Sequence, residues 1–484
     1  MKVISTPLQQ RIVAGVSWSL LGNIVWRLLS ALSMIGVARL LGGESFGELG
    51  MVRSTVEMFA VFASFRLGST ATKYVAEFRS HSPRRAGVIL QLTLLIAFFT
   101  CLATSLVCFF SSHSLSVTVL NRAGMSSSMA IGSVFLFVYI YGMVMEFALA
   151  GFEAFRAIAF VNILRGVLAC VVILPLAWQW GVDGVLVGLT FNAFVVLVIF
   201  FVCIRAEQKR CNVPALVSFQ EMRAESSILF HFALPGVLSG IILAASLWFG
   251  RVLLVNLEDG YQQLGVFSAA NQWRTIILFL PAIIGRVLLP VLSETYGNQS
   301  ADDFSRLAGK NIFTIWAMAL PLTIIMIGCS DLLALFFGNE FTGLERVLPL
   351  LLASVFFYAV SATVSQVLDG AGRRWQGLVM NCLWAVVFLL INQLVLVKMG
   401  AVGFALSFLV SYFLLVCIQF FYLNYFLTKQ IIDRNMLNCL VSILLLAGCL
   451  AGRYYLHGSA GYGVMVISIL ISLLISYERI SRCR

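Results

Sequence analysis

Seven arginines sit inside stretches of this chain that are otherwise apolar: Arg27, Arg53, Arg66, Arg165, Arg251, Arg274 and Arg286. A guanidinium cannot shed its charge, and placing one at the centre of a membrane helix costs about 2.5–3.5 kcal/mol on insertion scales. Arg66 and Arg286 lie near one end of their stretches, where a long side chain can snorkel to the headgroups. Arg251 is about a turn from an end, and Arg53 and Arg165 about two turns in. Arg27 and Arg274 are near the middle and cannot easily escape. Few acids oppose them: Glu57 and Glu146 lie well inside, and Glu48 at an end. Arg53 and Glu57 are spaced i, i+4, so a pair on one helix face is expected. Even with both glutamates paired, an excess of roughly +3 to +5 is left, which is tolerable where the arginines line a wet cavity and meet an anion. Phosphate suits them, because the guanidinium fork grips two of its oxygens at once. The expected anion-binding set is Arg27, Arg53, Arg251 and Arg274. Glu57, Arg66, Glu146 and Arg165 are secondary cavity or ion-pair candidates. The alternative for any single arginine is a tie to backbone carbonyls at a helix end.

The elements that must carry these charges are membrane helices. Of the 484 residues, 61% are hydrophobic and 11% charged, against about 25% charged in a soluble domain. Mean hydropathy is +0.98. The apolar runs are continuous rather than alternating, which excludes an outer-membrane barrel, and each is about 20 residues long, the length of a helix crossing hydrocarbon. Fourteen spans are expected, with approximate limits 15–41, 47–71, 86–110, 127–150, 157–179, 181–203, 231–255, 262–290, 311–330, 346–368, 375–397, 400–427, 436–455 and 460–477. Span one carries Gly15, Ser19 and Gly22 at a rhythm that lets backbones approach closely. Pro281 and Pro321 fall inside spans and predict kinks.

With the N-terminus placed in the cytoplasm, twenty lysines and arginines fall on inside segments and five on outside segments. This predicts both termini inside. The chain also repeats. LAG at 149–151, Asn162 and GVDG at 181–184 recur 219 residues later as LDG at 368–370, Asn381 and GAVG at 400–403. SFGELG at 45–50 lies 218 residues before QLGVFS at 263–268. Six spans per unit preserve orientation, so two parallel repeats are expected. They form an N-lobe over 1–203 and a C-lobe over 231–427, separated by a charged linker at 204–230. A C-terminal helix pair and basic tail occupy 428–484. The arginines do not follow the repeat: Arg53 aligns with Asn271 and Arg274 with Val56. A shared scaffold bearing one specialised site is the expectation.

Other chemistry is excluded or unsupported. The net charge of +11 is spread over short loops without a basic domain, which fits membrane topology and not nucleic acid. The eleven cysteines form no CxxC pair and the four histidines are scattered, so no metal site, disulfide framework or cofactor is expected. There is no P-loop, and no outer loop concentrates acids, so an enzyme is not expected.

ARLLGGESFGELGMV at 38–52 resembles the entry to span two of bacterial polysaccharide flippases. FALPGVLSG at 232–240, LGVFSAANQW at 264–273, LPVLSE at 289–294 and QVLDGAGR at 366–373 resemble later segments of the same proteins, in order. By this resemblance the chain is identified as a member of the Wzx-type O-antigen and polysaccharide transporters of the MOP superfamily. The resemblance implies two six-helix lobes of MATE-like fold in a V around a cavity. It implies an inner-membrane protein that moves undecaprenyl-diphosphate-linked sugars for O-antigen, capsule or exopolysaccharide synthesis. Polysaccharide polymerase and chain-length proteins are candidate partners beside the lipid-linked glycan and membrane lipids. Related lipid-two flippases keep cavity arginines in spans one, two and seven, the spans of Arg27, Arg53 and Arg251 here. MATE drug exporters share the scaffold but depend on membrane carboxylates, and span one here has no acid before Glu44. A cation-coupled exporter and a non-transporting scaffold for glycan enzymes are the alternatives.

Overall fold

A computed structural model gives the architecture. It describes residues 6–64, 67–218, 220–222, 227–278, 301–426, 436–455, 468 and 471–472. Every regular element among them is helical, as a chain immersed in hydrocarbon requires, because no water is there to satisfy open backbone groups. In order these are α1 (Thr6–Ser64), α2 (Leu67–Phe78), α3 (Pro83–Ser114), α4 (Ser126–Gly151), α5 (Phe155–Leu168), α6 (Leu174–Arg210), α7 (Ser227–Val255), α8 (Gly260–Ile277), α9 (Ala301–Gly328), α10 (Ser330–Leu335), α11 (Leu344–Gly370), α12 (Arg374–Phe426) and α13 (Met436–Tyr455). A π-helical turn, Ala169–Ile173, joins α5 to α6.

Eight segments among the described residues are long and apolar enough to cross a membrane, so this is a multi-pass membrane protein. Three are of double length, at 20–64, 155–210 and 374–425. Each bends at a glycine in the left-handed region, Gly42, Gly181 and Gly400, and so carries two of the expected spans. The thirteenth expected span coincides with α13, and the eighth is described only as far as residue 278. The fourteenth is described only at 468 and 471–472, and Arg66, Arg286 and Pro281 lie outside the described residues.

The repeat read from the sequence has a backbone counterpart. Gly181 and Gly400 share one conformation, φ 58 and ψ −134 against φ 53 and ψ −129. Glu153 and Gly372, again 219 apart, both have positive φ, 58 and 70. Past each bend a glycine lies against the preceding helix: Gly184 against the carbonyl of Leu176, and Gly403 against that of Val395. These pairs keep the same offset.

The chain divides into two compact units, Met1–Val252 and Leu253–Arg484. In the first, Gly22 of α1 sits on Ala159 of α5, and Gly166 of α5 on Trp26 and Leu29 of α1. Missing side chains here let two backbones close up where lipid supplies no drive for association. A core of Leu90, Met145, Leu149, Phe152 and Phe200 binds α3, α4 and α6. The seventh helix, assigned to the second repeat by sequence, packs with this unit. Trp248 of α7 donates Nε1–H to Thr55 Oγ1 at 3.0 Å. In the second unit, Trp384, Phe388, Phe404, Phe408 and Tyr412 of α12 stack with Phe267 of α8. Arg453 of α13 forks onto Asp331 of α10, Nη1 to Oδ2 at 2.6 Å, and Tyr454 donates to the carbonyl of Arg346.

The two bends differ in their surroundings. A Cβ on Gly181 would enter open space, whereas one on Gly400 would overlap Gln263 Oε1, which accepts the Ala401 N–H at 2.8 Å. Gly181→Ala is expected to cost about 1–3 kcal/mol, the strain of a positive-φ backbone that glycine alone adopts freely. Gly400→Ala is expected to cost more, because it also expels Gln263. Thermal melting in detergent measures the difference.

Candidate functional site

The first unit contains a cavity of about 210 Å³. Its wall is built from five helical stripes, each of residues three or four apart on one helix face. The part of α1 before Gly42 contributes Trp26, Ser30 and Met34, and the part after it Arg53, Val56, Glu57 and Ala60. Helix α4 contributes Phe135, Val138, Tyr139 and Gly142. From α5, the π turn and α6 come Arg165, Ala169, Ile173, Leu189, Asn192, Ala193 and Val196. In the π turn Ser33 donates its hydroxyl to the Ala169 carbonyl at 2.7 Å, satisfying a backbone group in the widened turn.

Arg53 enters the cavity with Nη1 3.6 Å from Met34 Sδ, a soft and weak acceptor. The expected Arg53–Glu57 pair is replaced by another. Glu57 is paired with Arg251 of α7 at 3.5 Å; Arg251 is 13% exposed and Glu57 62%. The i, i+4 spacing sees one helix only, and the packing of α7 on α1 through Trp248 brings a competing cation to the same carboxylate.

Arg165 lies with its guanidinium 5.2 Å from the Trp26 ring centre and 5.7 Å from that of Phe200. Both of its terminal nitrogens reach Glu146 Oε2 at 3.4 Å. That is longer than the roughly 2.7–2.9 Å of a firm charge-assisted bond. Asn162 Nδ2 donates to the other oxygen of Glu146, also at 3.4 Å. Asn192 Nδ2 donates to the Arg165 carbonyl at 3.0 Å. The Oδ1 atoms of Asn162 and Asn192 are buried with no hydrogen-bond partner.

The remaining sequence candidates are placed as follows. Arg27 lies over Trp26 at 5.9 Å, so that indole touches two guanidinium groups. Arg274 is in the second unit, where Nη1 donates to Asn271 Oδ1 at 3.4 Å and the guanidinium lies 5.0 Å from the Tyr358 ring and 5.9 Å from that of Phe408. The structure therefore brings Arg53, Glu57 and Arg165 to one wall, with Arg251 behind Glu57. Sequence reasoning missed Trp26, Tyr139 and Asn192. Asn192 was visible as a lone amide in the apolar run GLTFNAFVVLVIF, but nothing marked it from other lone amides such as Asn162.

Removing one partner of a half-buried ion pair strands the other, whereas removing both with apolar groups does not. Glu146→Ala is expected to lower unfolding stability by about 1–3 kcal/mol. The double variant Glu146→Ala, Arg165→Met should recover most of that loss in thermal melts. A double variant no more stable than the single one would show that the pair is not what holds Glu146.

The family model described as polysaccharide biosynthesis protein matches residues 12–296, and a MatE model matches 235–394. The EPS I polysaccharide export inner membrane protein EpsE of Ralstonia nicotianae is 23% identical over 80% of this chain and 87% of its own length. A putative O-antigen transporter of Shigella flexneri is 23% identical over 82% and 94%. Among solved structures, the lipid II flippase MurJ in an inward closed conformation superposes with a TM-score of 0.68, covering 96% of this chain and 98% of its own at 13% identity. An inward-facing multidrug resistance MATE transporter of the MOP superfamily gives 0.66, covering 84% and 97% at 13% identity. The fold is thus that of MOP-superfamily transporters, and the chain belongs to the polysaccharide biosynthesis protein family.

Proposed function

We propose that this chain is a flippase. It carries an undecaprenyl-diphosphate-linked oligosaccharide from the cytoplasmic to the outer leaflet of the inner membrane, by alternating access and without catalysis. The observation that carries this reading is the cavity wall with Arg53 and Arg165, in a unit whose two inward glutamates are already engaged by Arg251 and Arg165. Arg53, whose neighbour is a thioether, is the strongest anchor for a diphosphate. Arg27, Arg251 and Arg274 complete the proposed anion set. Each now touches an internal group, namely Trp26, Glu57 and the Asn271–Tyr358 pair. Exchange of such soft or long contacts for phosphate oxygens strengthens the grip on substrate while returning little of it to the resting protein. Arg53 leaves Met34 for a charge-assisted bond, and Arg251 trades a 3.5 Å contact for one.

An inside-negative potential favours outward movement of the anion by about 2.3 kcal/mol per charge per 100 mV if the full field is crossed. Glu57 and Glu146 are the proposed sites for any proton or sodium coupling. Both termini are proposed to lie in the cytoplasm, a reading supported by the uneven distribution of lysine and arginine between alternate loops. Glycan polymerase and chain-length proteins are proposed partners. The likeness to MATE transporters favours a second reading, cation-coupled drug export. The charge in the cavity opposes it, because Arg53 and Arg165 outnumber Glu57, which is itself engaged by Arg251.

Flipping of a fluorescent undecaprenyl-diphosphate oligosaccharide in proteoliposomes tests the proposal. Loss of one charged hydrogen-bond partner is worth about 1.5–3 kcal/mol, so Arg53→Ala should slow flipping by roughly 10- to 100-fold while the protein melts normally. Arg53→Lys should recover part of the rate, because it restores the charge but not the fork. Unchanged flipping by folded Arg53→Ala would remove Arg53 from the site.

A further inference from the structure

The duplicated scaffold allows the cavity to be compared with its own counterpart. Four wall residues, Arg165, Ala169, Leu189 and Ala193, correspond at the 219-residue offset to Trp384, Phe388, Phe408 and Tyr412. In the second unit these four are buried and stacked: Trp384 on Phe388 at 4.9 Å, Trp384 on Tyr412 at 4.9 Å, and Phe388 against Phe408 at 4.9 Å. One place in the fold is therefore filled by aromatic side chains in one unit and left open in the other. The open wall is also widened by the π turn Ala169–Ile173, whose counterpart lies within the α-helix α12. Side chains that fill this space are demonstrably compatible with the scaffold, and an empty cavity forfeits packing. An open one is expected where a ligand enters.

The polar groups on the wall define what enters. Arg165 offers N–H donors held by a long contact to Glu146. Asn192 is 5% exposed; its Nδ2 is fixed on the Arg165 carbonyl, and its Oδ1 has no donor. Tyr139, stacked on Phe135 at 5.1 Å, adds an aromatic side chain with a hydroxyl. A lipid chain would leave Asn192 Oδ1 without a donor, and a phosphate would meet it as a second acceptor. A pyranose satisfies all three groups. Its hydroxyls both give and take hydrogen bonds, and its C–H face packs on an aromatic side chain.

We propose that the wall formed by Tyr139, Arg165 and Asn192 is a saccharide subsite, which reads a neutral pyranose of the glycan beside the diphosphate. A ring hydroxyl or acetamido N–H donates to Asn192 Oδ1, and ring oxygens accept from Arg165. This rests on the flippase reading.

The test measures binding to purified full-length protein of farnesyl diphosphate and of its glucosyl, galactosyl and N-acetylglucosaminyl derivatives. Wild type is expected to bind at least one glycosylated probe about tenfold more tightly than farnesyl diphosphate, the equivalent of about one net hydrogen bond. Ala193→Tyr, which installs the residue of the sister repeat, should bring that ratio to about one, and so should Asn192→Val. The ratio, not the absolute affinity, is the readout, and thermal melting checks each fold. Wild type binding all four probes equally, or both variants keeping the preference, overturns the saccharide subsite and leaves the flippase reading standing. Failure of wild type to bind any prenyl diphosphate overturns both.

Discussion

A guanidinium charge in a medium that cannot solvate it is the constraint on which this structure turns. An arginine within a membrane helix must be given something to touch, and among the described residues three kinds of partner are seen. Arg165 and Arg251 are given carboxylates, at distances that stop short of firm ion pairs. Arg27 and Arg274 are laid on aromatic rings. Arg53 is left against a thioether in an open cavity. Helix packing follows from these needs. The seventh helix is seated on α1 by Trp248 and Thr55, and that seating delivers Arg251 to Glu57. A charge that is stabilised weakly at rest is one an incoming anion can take over.

Duplication supplies the rigid background. Matched bends at Gly181 and Gly400, and matched turns at Glu153 and Gly372, show that both halves are cut to one pattern. On that pattern the two units have taken opposite courses. One stacks Trp384, Phe388, Phe408 and Tyr412 together; the other has Arg165, Ala169, Leu189 and Ala193 at the matching places, on the wall of a cavity. The two interiors differ while the matched bends and turns are kept.

The helices, the repeat and the buried cations were legible in the sequence because each leaves a local mark. Apolar runs have a length, glycines recur at one offset, and an arginine stands out in a hydrophobic stretch. Partners were less legible. The i, i+4 spacing pointed to Arg53 and Glu57, and the structure gave Glu57 to Arg251, which lies 194 residues away in the chain. No single-helix pattern contains that contact. Asn192 and the π turn were hidden for a different reason. Their meaning comes from the comparison with Ser411 and the uninterrupted helix of the other unit, where nearby phenylalanines read as ordinary core. Trp26 carries no charge to mark it in the sequence, and its ring lies near two guanidinium groups.

The most direct test of the central claim, that the membrane arginines are held ready for an anion, is a thermal-shift comparison of two amphiphiles of opposite charge. Purified protein is melted with farnesyl diphosphate and with a lipophilic quaternary ammonium ion of similar size. Ligand at 100 times its dissociation constant stabilises the folded state by about 2.7 kcal/mol. The account predicts that the diphosphate raises the melting temperature, that the ammonium does not, and that the gain disappears in an Arg53→Ala, Arg165→Ala variant that still folds. Stabilisation by the cation and not by the diphosphate would contradict it.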